Sequence, residues 1–391
     1  MDKKIIVVEA CNYIDYPTGG QLTFAKHFIK TFKNNVLLVG ITTDPKITIG
    51  QWTKIDIEGT LYDFLPLLYR KNKTKKPIIP GRFQWVVALL INLNKLKKVD
   101  TNYFFTQDIS SLFPINKIKN SKILHNSAGL NNPFINPRYK WSKFLKKPFK
   151  KIWYNELSKT HLLMAAADQD TINLLKQSTY KLKNKTIYAF PTRFDDKVFF
   201  PKDKFKARRK LNIPDDIKMI VTSGRINKGK GWELLIEVAK ILQNKRPNHI
   251  IFWLGDGEDR SKMDEAIKSN EIENLIVVGN VSHQLLSEYL SAADLFILAS
   301  YREGWSTSIV EALACGKNVV TTNVSSAAEM IENNNNGFIV YDRTPETFAQ
   351  KILEALSLPD PNENSIKKVD TFKLSNLKSE FLKIWQQSKN L

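Results

Sequence analysis

The sequence is poor in the residues that staple, span or chelate. Cysteine occurs only as Cys11 and Cys315, in separate apolar segments, and two isolated thiols without Cys or His neighbours argue against a disulfide framework and against a structural zinc site. That usage fits a reducing compartment. No run of eighteen apolar residues occurs, so no segment has the length of a membrane-spanning helix. Met1-Asp-Lys-Lys passes at once into Ile5-Ile-Val-Val, too short and too strand-like for a secretory signal, and the expected location is the cytoplasm. Negative charge is scarce in one half only: residues 1–200 hold 33 Lys and Arg against 14 Asp and Glu, whereas residues 201–391 hold 26 against 25. A basic excess gathered in one half suits either nucleic acid or anionic lipid as a partner, and the local pattern has to separate them.

What is present is the alternation of an α/β protein. With 391 residues, 42% of them hydrophobic, the chain has a globular composition and the length for two domains, each with its own core. Residues 4–8 read as a strand, 22–32 as a helix and 35–40 as a second buried strand, a βαβ start. Gly19 and Gly20 lie in its strand-to-helix turn, where paired glycines serve either as a plain turn or to let backbone approach a ligand closely. Residues 84–99 read as an amphipathic helix whose apolar run 85–91 belongs in the core, and 122–129 as a strand that carries His125 into a polar turn. Asp168 reads as the cap of the helix that follows the strand 162–167; Asp168-x-Asp170 is taken as a cap and not as a metal pair, and no other carboxylate cluster asks for a divalent cation. The proline-bounded stretch 190–201 is the expected linker. Strands at 218–223, 249–254, 275–279, 295–299, 317–322 and 338–340 follow, and 376–388 is a terminal helix with Leu377, Phe381, Ile384 and Trp385 on one face.

The chain is organised around residues 303–316. An apolar strand, 295–299, enters a polar turn; Ser306, Thr307 and Ser308 open a helix that Gly316 stops. In an open α/β sheet, turns at the carboxyl ends of strands receive ligands, and free N–H groups at a helix start favour phosphate. Glu303 and Glu311 bracket the turn, and eight helical residues would span ~12 Å, a reach suited to an elongated ligand with hydroxyls at both ends and a diphosphate between. A second basic turn, from Gly224-Arg225 to Lys230-Gly231, joins a strand to a helix and could cradle that diphosphate.

These residues resemble the E-x7-E signature of the family 4 glycosyltransferases, retaining enzymes of the GT-B fold, in which two Rossmann-like domains face each other across a cleft. The resemblance covers almost the whole chain and is strongest from Ser223 to Gly337. It implies an N-terminal acceptor-binding domain, 1–195, completed by a C-terminal helix in 372–391, and a donor-binding domain, 196–371. It implies a nucleotide-diphosphate sugar of UDP or GDP type as donor and no metal or other cofactor. In its terms Glu303 lies by the donor sugar and Glu311 by the ribose, and Arg225 and Lys230 meet the diphosphate. Ser306, Thr307 and Ser308 would hold phosphate, although Ser306 stands where many members carry glycine. Gly19 and Gly20 would lie near the phosphate and acceptor, His125 by the sugar, and backbone near Val281 by the base. Front-side attack within an ion pair, with no covalent nucleophile, is the implied route. A nucleotide-sugar epimerase or hydrolase, or a non-catalytic binding subunit on the same fold, are the alternatives.

Residues 138–154 hold seven basic residues and no acidic one, interleaved with aromatics. Lys140, Trp141, Lys143, Lys146, Lys147, Lys150, Lys151 and Trp153 could form an interfacial patch that meets anionic lipid; a solvated basic helix packing its aromatics inward is the alternative. No recognised nucleic-acid motif accompanies the patch, which disfavours a nucleic-acid partner. Since the resemblance assigns the acceptor to the N-terminal domain, a glycan or lipid-linked acceptor at the inner face of the membrane is expected, in bacterial surface polysaccharide or glycan assembly.

Overall fold

The computed structural model describes residues 4–17, 19–71, 79–127, 146–245, 248–324 and 326–389. The chain divides into two units. The first comprises Met1–Thr192 with Leu377–Leu391, and the second Arg193–Asn376; the boundaries expected from sequence lay at 195/196 and 371/372.

In the first unit the elements run β1 (Ile5–Val8), α1 (Gly20–Phe32), β2 (Val36–Thr42), β3 (Thr53–Ile57), β4 (Thr60–Tyr69), α2 (Gly81–Lys97), β5 (Tyr103–Thr106) and α3 (Ile109–Ile115). They continue with β6 (Lys122–Ser127), α4 (Lys146–Ser158), β7 (Leu162–Ala165), α5 (Gln169–Gln177), α6 (Tyr180–Lys183) and β8 (Ile187–Ala189). The strands form one sheet in the order β3-β4-β2-β1-β5-β6-β7-β8. All neighbours are parallel except β3 and β4, a hairpin turned by Glu58 and Gly59, both at positive φ. Such a turn matches the right-handed twist of the flanking strands. The central strands are apolar along their length because helices cover both faces. Ile6, Val8, Val39 and Leu163 face a cluster with Trp85, Leu112, Trp153 and Leu175 from α2, α3, α4 and α5.

The opposite face is aromatic. Phe28 stacks on Phe105 with centroids 4.0 Å apart and meets Phe381 edge-on at 5.3 Å. Phe381 belongs to the terminal helix, α15 (Leu377–Lys389), whose Leu377, Phe381 and Trp385 are buried, so the last helix completes the first unit's core. Helix α2 departs from its sequence reading. Trp85, Ala88 and Leu89 enter the core, but Phe83, Val87 and Ile91 from the same apolar stretch are 62%, 37% and 75% exposed.

The second unit runs α7 (Lys204–Leu211), β9 (Lys218–Ser223), α8 (Trp232–Lys245), β10 (His249–Leu254), α9 (Arg260–Ser269), β11 (Leu275–Gly279), α10 (His283–Ala292) and β12 (Leu295–Leu298). After these come α11 (Thr307–Ala314), β13 (Val319–Thr322), α12 (Ala327–Met330), β14 (Gly337–Val340), α13 (Pro345–Ala355) and α14 (Glu363–Val369). Its sheet is parallel with the order β11-β10-β9-β12-β13-β14, the doubly wound order in which the chain changes direction beside its first strand. The crevice that ligands use in such sheets opens between the turns after β9 and β12. The stretch expected as an open linker is packed: Arg193, Phe194 and Phe199 are buried, and Phe194 exchanges backbone bonds with Phe372 and Leu374 of the returning segment, at 3.1 and 2.8 Å. Among the described residues no helix is long and apolar enough to cross a membrane.

Candidate functional site

The turns after β9 and β12 are locked together. Asn227 caps a short 3-10 turn, Lys228–Lys230, by accepting from the Lys230 N–H, and Gly231 follows with φ 68°. A Cβ there would lie 2.1 Å from the Ala299 carbonyl oxygen, so only glycine lets this turn rest against the end of β12. Tyr301 N–H donates to the Gly229 carbonyl at 2.9 Å, fixing the register between the turns. Lys230 is thereby delivered to Glu303: its Nζ lies 2.6 Å from Oε1, which also accepts from Ser300 Oγ at 2.6 Å. The two side chains are 25% and 13% exposed, shielded enough to strengthen the pair and open enough for a ligand to reach it.

Three residues brace this centre that the sequence reading passed over. Arg343 donates to the carbonyls of Ser300 and Ala299 at 2.8 and 2.9 Å and lies 3.9 Å from the Tyr301 ring centroid. A planar guanidinium can do both at once. Ser300 was detectable as the first polar residue after β12; Arg343 had no signal, because it comes from the turn beyond β14, forty residues after Glu303. Ser326 accepts the Ser306 N–H on its Oγ at 3.1 Å.

That last bond affects how α11 begins. Ser306 stands at the N-cap but makes no side-chain bond to the helix; its Oγ instead lies 3.1 Å from Ser308 Oγ. The first turn of α11 therefore has no capping side chain from Ser306, which leaves the helix start suited to an anion. Further along, Glu311 is 7% exposed, and burial pushes its carboxyl up to about 8. In the unliganded chain at neutral pH it is protonated. Arg225 lies in the β9 turn, half exposed, with Nε 4.0 Å from Glu258 Oε2. Val281 follows β11, half-buried just before the Ser282 cap of α10.

The first unit has its own switch point, between β1 and β5. Buried Glu9 accepts the Gln107 N–H at 2.5 Å, and the Gln107 amide donates to the Gln21 carbonyl at 3.0 Å, which ties the end of β5 to the start of α1. Burial raises the Glu9 carboxyl well above the usual range. Gly19 has φ 136°, and a Cβ at Gly19 or Gly20 would meet nothing within 4 Å, so this turn presents open backbone. His125 is fully buried in β6, and burial lowers it to about 3 against an opposing backbone contact with Thr106, keeping it neutral.

Of the basic aromatic patch, Lys146, Lys147, Lys150 and Lys151 are exposed on α4. Trp153 is not part of that surface: it is 1% exposed and sits in the core against Phe149 and Tyr154, because its position on α4 points at the sheet. Lys140, Trp141 and Lys143 lie outside the described residues. Asp168 caps α5 through the Thr171 N–H at 2.7 Å, and among the described residues no group of three His, Cys, Asp or Glu side chains could hold a metal.

Residues 203–371 match the model of the family described as glycosyl transferases group 1. The match covers less than half of the chain and lies within its second unit. The matched segment holds Arg225, Lys230, Val281, Glu303, Glu311 and the start of α11, whereas Gly19, Gly20, His125 and the α4 cations lie outside it. Among curated relatives, the chain is similar to the 2-deoxystreptamine N-acetyl-D-glucosaminyltransferase of Niallia circulans, at 28% identity over 197 residues. The chain spans about half the length of that relative, and the match about half of the chain. The fold is that of solved GT-B glycosyltransferases. Sucrose-phosphate synthase from Thermosynechococcus elongatus superposes with a TM-score of 0.79 at 17% identity, covering 98% of this chain and 99% of that one. Anabaena HepE, solved with UDP and glucose, gives 0.73 at 14% identity, covering 98% and 99%.

Proposed function

We propose that the chain is a retaining glycosyltransferase that moves a sugar from a UDP- or GDP-type nucleotide sugar to a membrane-associated glycan or lipid-linked acceptor, in surface polysaccharide or glycan assembly. One observation carries the reading: Lys230 and Glu303 meet at 2.6 Å at the switch point of a doubly wound sheet, beside a helix start without a side-chain cap. In the reaction the bond between the anomeric carbon and the diphosphate oxygen breaks, the acceptor oxygen bonds that carbon on the same face, and the hydroxyl proton passes to the departing diphosphate. Negative charge grows on the diphosphate and positive character on the sugar. Lys230, Arg225 and the N–H groups of Thr307 and Ser308 oppose the first; Glu303 holds sugar hydroxyls and steadies the second. Glu311 accepts from the ribose diol, for which it has to release the proton it holds when empty. The fold of HepE, whose structure contains UDP and glucose, supports a nucleotide sugar as donor.

The test is a screen of nucleotide sugars for release of free nucleoside diphosphate, with membrane extract as acceptor, in wild type and Glu303→Ala. Release by the wild type that the variant loses supports the reading; equal release by both removes Glu303 from it. The anomeric configuration of the product, read by NMR, distinguishes retention from inversion.

A further inference from the structure

The sequence placed the lipid-facing surface on residues 138–154. A row of exposed apolar side chains on one helix lies elsewhere, on α2. This helix is apolar on two opposite sides. Trp85, Leu89 and Leu96 are buried in the core, while Phe83, Val87 and Ile91, four residues apart and so one above another, project outward. A soluble helix with one face on a core usually carries polar residues along the other, whereas the outward side of α2 carries Phe83, Val87 and Ile91 over its first three turns. Residues 81–99 contain no acidic residue, and Arg82, Lys97 and Lys98 are exposed beside the stripe.

The neighbouring helices continue the pattern. Helices α2, α3 and α4 contribute to the same core cluster, on one face of the first sheet, and α3 contacts both of the others. On α3 Phe113 is 40% exposed, with the Lys117 ammonium 4.7 Å from its ring centroid. On α4 Ile152 is 54% exposed among Lys146, Lys147, Lys150 and Lys151. Across these three helices the one carboxylate, Glu156, is buried and bonded to Lys159 and Asn116. Apolar side chains ringed by cations, with no exposed acid, match the acyl boundary and anionic headgroups of a bilayer. A second copy is a poor occupant, since pairing this face with itself would bring like charges together.

We infer that α2 is the apolar anchor of a bilayer-docking face, with Phe83, Val87 and Ile91 entering the acyl boundary and the α3 and α4 lysines meeting anionic headgroups. The inference rests on the proposed membrane-borne acceptor and moves its anchor from α4 to α2.

The experiment is flotation with vesicles of phosphatidylcholine alone or mixed with phosphatidylglycerol, at low and high salt. It compares wild type, Phe83→Ser/Val87→Ser/Ile91→Ser, and Lys146→Ser/Lys147→Ser/Lys150→Ser/Lys151→Ser. All substituted side chains are exposed, and thermal melting checks that each variant folds. The wild type is expected on the anionic vesicles; the α2 variant is expected to lose about tenfold or more in partitioning at either salt, and the α4 variant to lose mainly at low salt. An α2 variant that floats like the wild type overturns the inference and leaves the membrane reading standing on α4. A wild type that binds no vesicle overturns both, and dimers that the α2 variant dissolves would make the face a self-association surface. Nucleoside diphosphate release without lipid, retained by the α2 variant, separates these outcomes from failure of the transfer reading.

Discussion

The two units share a topology, a parallel sheet that changes direction beside its first strand, and place their charges in different ways. Unit 1 carries 34 Lys and Arg against 13 Asp and Glu, unit 2 carries 25 against 26, and together they make the net +20. In unit 2 the charges pair. Lys230 meets Glu303, and Arg208 and Lys204 both reach Asp294, at 2.7 and 2.6 Å. In unit 1 the described cations Lys146, Lys147, Lys150 and Lys151 stand exposed on α4, while the carboxyl edge of the sheet keeps buried groups such as neutral His125 and Glu9, whose carboxyl is raised by burial. Similar topology therefore does not imply similar charge placement: unit 2 is near neutral, and the basic excess of unit 1 suits an extended anionic surface.

The sharpest break of this contrast is Glu303→Ala, expected to lower turnover by about a hundredfold or more, with folding largely kept; nucleoside diphosphate release checks it, and an unimpaired variant would remove the unit 2 pairing from the site. Lys230→Met should follow at about a hundredfold, while Arg225→Met, at a half-exposed position, should cost about tenfold. Arg343→Ala removes the two carbonyl bonds and the Tyr301 contact without touching the crevice directly. It should lower kcat by about tenfold with little change in KM, and Arg343→Lys should restore little, because an ammonium lacks the fork.

A pH experiment sharpens the same comparison. The Glu311 carboxyl is raised to about 8 in the folded chain, so the native state holds a proton that the unfolded state releases near the ordinary carboxylate value. Stability from this group is therefore present at low pH and lost as pH rises towards 8, by an amount on the order of a few kcal/mol. Glu311→Gln should flatten that loss in thermal melts and, lacking a carboxylate for the ribose, weaken donor binding by about tenfold. The smallest effect belongs to unit 1: serine at Lys146, Lys147, Lys150 and Lys151 should leave donor KM unchanged, since these cations stand exposed on α4, in a different unit from Lys230 and Glu303. A raised donor KM would show that the two units do not divide the work in this way.

The strands were legible because burial on both faces leaves an uninterrupted apolar run, as in 218–223 and 295–299, bounded by glycine and polar turns. Glu303, Lys230 and the start of α11 were legible for the same reason: position after a strand is a local property. The β3-β4 hairpin was missed because β3 is a five-residue edge strand and the alternation along the pair is partial. Trp153 was assigned to the surface because a composition window does not say which way a helix turns its ring.

Local sequence thus determined which segments are strands and helices, where the turns after β9 and β12 fall and which half carries the charge, since each depends on neighbours within a few residues. Only the tertiary structure decided that Lys230 closes on Glu303, that Arg343 braces them from beyond β14, that Glu311 is buried enough to keep its proton, and that α2 shows an apolar side to the outside. Those outcomes depend on which face of one element meets another, and that is set by packing across tens of residues, where the spacing of a single segment has no influence.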